Sequence, residues 1–96
     1  MVTDDMKVVN NTASSRFEMP LEGQMAVLDY QLYPGGITFT HTGVPPQWQN
    51  RGLGGKLVQT ALDYARAEGL TVRPLCSFVA HYIKEHPEYQ DLVRKK

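Results

Sequence analysis

The first half of the chain alternates apolar and polar residues with the period of two that is typical of β-strands. The alternation, with β-branched residues near position 40, predicts strands over residues 7–10, 16–19, 24–33 and 37–44, the second ending at Pro20. Turn-forming pairs at Glu22-Gly23 and Gly35-Gly36 indicate tight connections between them. The longest strand is expected to place Ala26, Leu28 and Tyr30 on one face and Met25, Val27 and Asp29 on the other.

The second half changes to the period of a helix. Between positions 53 and 65, apolar residues recur at the spacing of one helical face, and Gly69 is suited to end that helix. Residues 70–74 predict a strand that returns to the sheet with Val72 inward. Ser77 is then expected to cap a second helix that Pro87 ends. We expect that helix to bury Phe78, Val79, Tyr82 and Ile83, and the tail to pack Tyr89 and Leu92 onto the body.

The predicted order of elements is β-β-β-β-α-β-α. A strand–helix–strand crossover is right-handed and makes the last strand parallel to its neighbour in the sheet. The predicted fold class is therefore α+β, with a mixed, mainly antiparallel sheet and two helices. A chain of 96 residues allows one core, so we expect a disordered N-terminus at residues 1–5 and a single domain over residues 6–96, ending in a solvated Arg94-Lys95-Lys96.

Charge and composition narrow the range of partners. Ten basic and ten acidic residues cancel, which argues against nucleic acid and anionic membranes as partners. The single cysteine, Cys76, excludes an intrachain disulfide and fits a reducing compartment. No apolar run approaches the roughly 20 residues that span a bilayer, and the first five residues do not begin a signal peptide. We therefore expect a cytoplasmic protein, with a monomer as the favoured state.

The stretch between the meander and the first helix carries the clearest chemistry. Residues 49–56 contain three glycines, an arginine, a lysine and no carboxylate, directly before and within the helix start. Successive backbone N–H groups at such a junction can point at phosphate oxygens, and the helix dipole favours negative charge there. Asn50 is tolerable where the backbone needs left-handed geometry. A glycine-rich turn without a ligand is the alternative explanation.

Residue spacing separates three kinds of phosphate loop. A P-loop requires Ser or Thr after the Gly-Lys pair, but Leu57 follows Lys56. A dinucleotide fingerprint requires a third Gly or Ala at that same position. The remaining pattern, Gln/Arg-x-x-Gly-x-Gly/Ala, is met by Gln49, Gly52 and Gly54. It resembles the pyrophosphate loop of the GCN5-related N-acetyltransferases, an arrangement that requires no metal.

A wider resemblance covers nearly the whole chain. Four segments occur in the order found in the minimal, single-domain branch of this superfamily, the N-acetyltransferase domain-containing protein 1 type: Phe39-Thr40-His41-Thr42-x-Val44-Pro45-Pro46, the glycine loop, Val72-x-Pro74-x-Cys76-Ser77-Phe78-Val79 and His86-Pro87-Glu88-Tyr89. The resemblance implies acetyl-CoA as co-substrate and the loss of the N-terminal helices that build the acceptor site in larger relatives. Coenzyme A is then expected to contact Val44, Gln49, Asn50, Arg51, Gly52, Leu53, Gly54, Gly55 and Lys56.

Two residues are candidates for chemistry. Cys76 lies near the start of the second helix, where the pKa of a thiol falls, and the resemblance places it close to the thioester. A small buried apolar side chain is its alternative role. His41 lies on the strand that leads to the glycine loop and can take a proton from an amine. The branch usually carries Glu between Thr42 and Val44, whereas this chain has Gly43, which leaves the general base unassigned.

The sequence therefore predicts an acetyl-CoA-binding protein that moves an acetyl group to an unidentified amine. The alternative is a non-catalytic acyl-CoA-binding or interaction module that has kept the fold. Gly43, the neutral surface and the missing acceptor-site helices motivate that alternative.

Overall fold

The computed structural model describes residues 7–93, and its elements follow the predicted order. The strands are β1 (Val9–Asn11), β2 (Arg16–Leu21), β3 (Gln24–Tyr33), β4 (Gly36–Gly43) and β5 (Thr71–Pro74). The helices are α1 (Leu53–Ala67), α2 (Ser77–Glu85) and α3 (Gln90–Val93), with 3₁₀ turns at Pro46–Trp48 and Pro87–Tyr89. The expectations for residues 1–5 and for Arg94-Lys95-Lys96 lie outside the described residues.

The five strands form one sheet in the order β1-β2-β3-β4-β5. The first four pair antiparallel, and β5 pairs parallel to β4 after the α1 crossover. The predicted α+β fold with a mixed, mainly antiparallel sheet is thus confirmed, and the short helix α3 is an addition to it. Gly69 ends helix α1 as predicted. Its φ of 69° is left-handed, and this geometry lets the N–H of Leu70 donate to the carbonyl of Ala65 at 2.8 Å.

One face of the sheet carries the helices, and we call it the helix face. Helix α1 contacts β2, β3, β4 and β5, and α2 contacts β4 and β5. The helix face contributes buried side chains from the alternate strand positions, including Phe17, Met19, Ala26, Leu28, Tyr30 and Phe39. Every predicted apolar position of α1 is buried: Leu53, Leu57, Val58, Ala61, Leu62 and Ala65. The predicted inward position of Val72 and the packing of Tyr89 and Leu92 are also confirmed.

The opposite side of the sheet, which we call the open face, has no helix packed on it within residues 7–93. It presents the other alternate positions, among them Arg16, Glu18, Val27, Asp29 and Gln31. The predicted division of β3 between two faces is confirmed by its burial, since Ala26, Leu28 and Tyr30 are buried and their neighbours are not.

Strand β2 continues through Pro20 to Leu21, so the predicted end at Pro20 is wrong. Proline cannot donate a hydrogen bond and is tolerated where a strand has a free edge. Strand β1 pairs only as far as Glu18, which leaves the edge beside Pro20 unpaired in the described part of the chain.

Two expectations for α2 are wrong. Ser77 is the first helical residue rather than the cap, because Cys76 takes the cap position. Phe78 is 43% exposed rather than part of the core. The first turn of α2 projects beyond the end of β5, so Phe78 lies over the start of α1 instead of over the sheet.

A β-bulge interrupts the pairing of β3 with β4. Asp29 pairs with His41, but the next residue, Tyr30, pairs with Phe39, so Thr40 is the extra residue. The inserted residue resets the alternation of β4. Phe39 and Thr42 consequently lie on the helix face, while His41 lies on the open face.

Strands β4 and β5 separate beyond Phe39. Their pairing runs from Gly36 with Thr71 to Phe39 with Pro74, and the chain then turns into α2. Cys76 N–H donates to the carbonyl of Phe39 at 2.9 Å and closes this corner. Beyond it, no described strand pairs with β4 on the β5 side. We call this gap, bounded by Phe39, Gly43 and Cys76, the wedge.

Candidate functional site

A cavity of about 380 Å³ lies where the end of β4, the N-terminus of α1 and the first turn of α2 meet. Its lining joins the wedge to the glycine loop: Thr42, Val44, Trp48, Gln49, Asn50, Gly52, Leu53, Gly54, Gly55 and Phe78. Seven of the residues predicted to contact coenzyme A therefore come together around one hollow. The other two, Arg51 and Lys56, are exposed and do not line it.

The glycine loop presents bare backbone at the helix start. Asn50 has a φ of 65° and Gly52, the N-cap of α1, has a φ of 77°. The first helical hydrogen bond described runs from Lys56 N–H to the carbonyl of Gly52 at 3.1 Å. The N–H groups of the preceding helical residues, 53–55, have no acceptor within the helix, and the first turn contains no acidic residue. This geometry suits an anionic ligand at the N-terminus of α1.

Side chains around the loop hold its shape. The amide of Gln49 donates to the carbonyl of Val44 at 2.9 Å, which ties the loop to the end of β4. Trp48 is buried, and the guanidinium carbon of Arg51 lies 5.1 Å from the centre of its ring. The stacking orders Arg51 at the rim, where its charge adds to that of the helix terminus.

Phe78 is a cavity residue that the sequence pattern did not predict. A Cβ atom on Gly54 would lie 2.8 Å from the Phe78 ring, so glycine is what allows the ring to lie directly over the loop. Gly55 lies similarly beneath Tyr82, with 3.5 Å between a built Cβ and that ring. The available signal was the position of Phe78 in the first turn of α2, two residues after the cap at Cys76.

Cys76 lies at the closed end of the wedge. Its Sγ atom is 3.3 Å from the hydroxyl oxygen of Thr42, which itself lines the cavity. Burial alone would raise the pKa of Cys76, but hydrogen bonds from Thr42 and from the backbone N–H groups of Val79 and Phe78 outweigh it, and the pKa lies below its ordinary value. A larger fraction of Cys76 is therefore ionised at neutral pH than of an ordinary cysteine.

His41 lies on the other side of the wedge from Cys76. It is exposed on the open face, opposite Asp29. A Cβ atom on Gly43 would lie 3.2 Å from its Nε2 atom and 3.7 Å from Val27, so position 43 faces the same side. The two candidate chemical residues thus approach the end of β4 from opposite faces and do not line one hollow.

No group of three or more His, Cys, Asp and Glu side chains within residues 7–93 is arranged to hold a metal ion. No helix in the same range is long and apolar enough to cross a bilayer.

The strand-wedge-helix arrangement defines a class of protein. Residues 16–92 match the family model described as GCN5-related N-acetyl-transferase, and the chain belongs to that acetyltransferase family. The fold matches the solution NMR structure of a GCN5-like protein from Staphylococcus aureus with a TM-score of 0.73 at 24% identity, covering 92% of this chain and 87% of that one.

The similarity extends to individual curated proteins. The chain is 32% identical over 93 residues to protein NATD1 of Mus musculus, covering 93% of this chain and 84% of that protein. Protein NATD1 of Xenopus tropicalis is 31% identical over 96 residues, covering 96% and 87% respectively. The predicted family and the minimal, single-domain branch are thus confirmed.

Proposed function

We propose that the protein is an acetyl-CoA-dependent N-acetyltransferase that moves an acetyl group to an amine. The observation that carries the proposal is the glycine loop, which offers unpaired N–H groups and no carboxylate at one end of a cavity whose other end is the wedge. A pyrophosphate fits such an N-terminus because backbone donors and the helix dipole both favour anions.

The chain's residues divide the binding between them. Residues 50–55 hold the pyrophosphate through their N–H groups, with Arg51 and Lys56 adding charge at the rim. Gln49 keeps the loop tied to Val44. The unpaired edge of β4, from Thr40 to Gly43, offers backbone groups to an extended pantetheine arm, in the manner of an added strand.

Bound acetyl-CoA supplies an electrophilic thioester carbonyl. A backbone N–H near Val44 stabilises the oxyanion that develops on the carbonyl oxygen. His41 accepts the proton that the amine loses. The thiol of Cys76 has two possible parts in this chemistry. It either receives the acetyl group first, or it delivers a proton to the departing sulfur.

A mass measurement distinguishes these two parts. Transfer through Cys76 leaves one acetyl group on the protein when acetyl-CoA is added without an amine, and the adduct is absent from Cys76→Ala. If the wild type shows no adduct while it still turns over amines, the direct route holds.

A second candidate function is a non-catalytic acyl-CoA-binding module. Gly43 favours it, because the strand end lacks the carboxylate that the branch usually carries there. Release of coenzyme A in the presence of an amine panel supports the enzyme, whereas tight binding without turnover supports the module. The lone Cys76 suits a reducing compartment, so we propose a cytoplasmic location. We propose separately that the protein is a monomer. Cell fractionation and sedimentation of the purified chain test these two points.

Calorimetric titration with coenzyme A tests the proposal itself. We expect Gly54→Leu to weaken binding roughly 100-fold, since its side chain displaces Phe78 into the cavity and removes about two charge-assisted hydrogen bonds. Ala67→Leu places the same side chain at an exposed position of the same helix and should bind like the wild type. A folded wild type that does not bind coenzyme A would falsify the proposal, and equal affinity in the two variants would exclude the loop as its site.

A further inference from the structure

Phe78 presents apolar surface to the cavity although it lies outside the core. Its side chain is 43% exposed and lines the hollow together with Gly54 and Gly55. A ring of this size leaves apolar area in contact with water unless a ligand covers it. The ring therefore directs attention to the part of a ligand that would lie against it.

Two consecutive glycines place this ring at the N-terminus of α1. Phe78 and Tyr82 lie one turn apart on α2, and residues at that spacing share a face. A Cβ atom on Gly54 would lie 2.8 Å from the Phe78 ring, and one on Gly55 would lie 3.5 Å from the Tyr82 ring. The missing side chains let the first turn of α2 approach the very residues whose N–H groups have no acceptor within the helix.

The chemistry of the ring differs from that of the loop beside it. A phenylalanine side chain has no charge and no hydrogen-bond donor, so it adds nothing to the binding of a phosphate. Val44 and Leu53 add further apolar surface to the same cavity. An anion-binding loop with an apolar wall next to it is complementary to a ligand in which an apolar group directly follows a phosphate.

Phe78 also lies between the two ends of the cavity. It contacts the glycine loop at Gly54. It also follows Cys76, which is joined to β4 at the closed end of the wedge through its N–H group and its thiol. An extended ligand that runs from the loop to the wedge therefore passes the ring soon after its phosphates.

We propose that Phe78 contacts the dimethyl carbon of the pantetheine arm and thereby selects coenzyme A. The inference rests on the proposed function and names the contact that recognises its co-substrate. In coenzyme A, one methylene group separates this carbon, with its two methyl groups, from the pyrophosphate. A nucleotide that ends at the same pyrophosphate leaves the ring uncovered, so Phe78 separates coenzyme A from nucleotides that the loop alone would bind equally well.

Calorimetry with two ligands tests the selection. The ligands are coenzyme A and adenosine 3′-phosphate 5′-diphosphate, which carries the same phosphates without the pantetheine arm. We expect Phe78→Ala to weaken coenzyme A about tenfold, the order expected for uncovering two methyl groups. The affinity for the nucleotide should change less than twofold. Phe78→Leu keeps an apolar side chain and should retain most of the affinity for coenzyme A.

Leu75→Ala is the matched control. Leu75 is a second exposed apolar residue at the same corner, 73% exposed, and it does not line the cavity. Its removal should leave the affinity for both ligands at the wild-type value. Thermal melting of all three variants checks that each one is folded.

NMR measures the contact itself. In isotope-filtered spectra of the labelled full chain with unlabelled coenzyme A, the ring protons of Phe78 should show NOEs to both methyl resonances of the ligand. Bound coenzyme A without these NOEs would overturn the inference and leave the proposed function intact.

Two calorimetric results would also overturn it. One is an equal loss of affinity for both ligands in Phe78→Ala, which would show that the ring only supports the loop. The other is Phe78→Ala binding coenzyme A as tightly as Leu75→Ala does. A folded wild type that binds neither ligand would remove the proposed function and this inference together.

Discussion

The two faces of the sheet perform different tasks by different means. The helix face consists mainly of buried apolar side chains, and the ligand contacts it positions are backbone N–H groups of the glycine loop. The open face carries polar side chains with few partners, among them His41, whose contribution to the proposed chemistry comes from its imidazole. The helix face therefore tolerates little change in shape, while the open face can change its chemistry at small cost to stability.

The largest effect is expected on the helix face. Phe39→Ala removes a ring that is 0% exposed and should lower the free energy of unfolding by about 3–5 kcal/mol. Gln31→Ala changes an exposed position of the neighbouring strand β3 and should stay within about 0.5 kcal/mol of the wild type. Urea denaturation measures both. Similar losses in the two variants would show that the faces do not differ in this way.

An intermediate effect is expected where the tail docks onto α1. The hydroxyl of Tyr89 donates to the carboxylate of Asp63 at 2.7 Å. Tyr89→Phe should cost about 1 kcal/mol, the net worth of one hydrogen bond. Tyr64→Phe is the control, because the Tyr64 hydroxyl makes no hydrogen bond within residues 7–93 while its ring packs edge-on against Phe17. Equal destabilisation of the two variants by thermal melting would contradict the prediction.

The same hydroxyl predicts an alkaline pH dependence. Burial and Asp63 raise the pKa of Tyr89 to about 12, whereas an unfolded tyrosine titrates near 10. The folded state holds this proton more tightly, so the contribution is complete below about pH 10 and is lost between about pH 10 and 12. The wild type should therefore lose stability faster than Tyr89→Phe across that interval. Parallel stability curves above pH 10 would be inconsistent with this assignment.

The smallest effect is expected at the wedge, where the two faces meet. Thr42→Val removes a hydrogen bond to the Cys76 sulfur that lowers the pKa of that thiol, so the pKa should rise in the variant. The rate of alkylation by iodoacetamide as a function of pH measures the shift. Thr40→Val is the control, because Thr40 is the bulged residue of the same strand and its hydroxyl donates to the carbonyl of Asp29, not to Cys76. It should leave the pH dependence of alkylation unchanged. A profile that is the same in all three proteins would show that Thr42 does not set the reactivity of Cys76.

Features that depend on local pattern were predictable from the sequence. The alternation of β3 and the apolar stripe of α1 each report which side of one element is buried, and both are confirmed. The glycine loop was also predictable, because its left-handed residues and helix start are adjacent in the chain. Asn50 and Gly52 indeed take positive φ values.

Features that depend on distant contacts were not predictable. The exposure of Phe78 follows from its lying over Gly54, a residue 24 positions earlier that no periodicity connects to it. The end of β2 depended on how far β1 extends along it. The face on which His41 lies depended on the bulge at Thr40, which the amino-acid pattern around position 40 does not mark. The sequence named His41 and Cys76 as candidates, but only the fold shows that they are on opposite sides.

The bulge gives the register of β4 a meaning separate from its composition. If β3 and β4 paired without the bulge, Thr40 would lie opposite Asp29, and His41 and Thr42 would exchange faces. His41 would then lie on the side of Cys76, and Thr42 on the side of Asp29. The pairing register, and not only the amino acids of β4, therefore decides which chemistry this strand presents on each face.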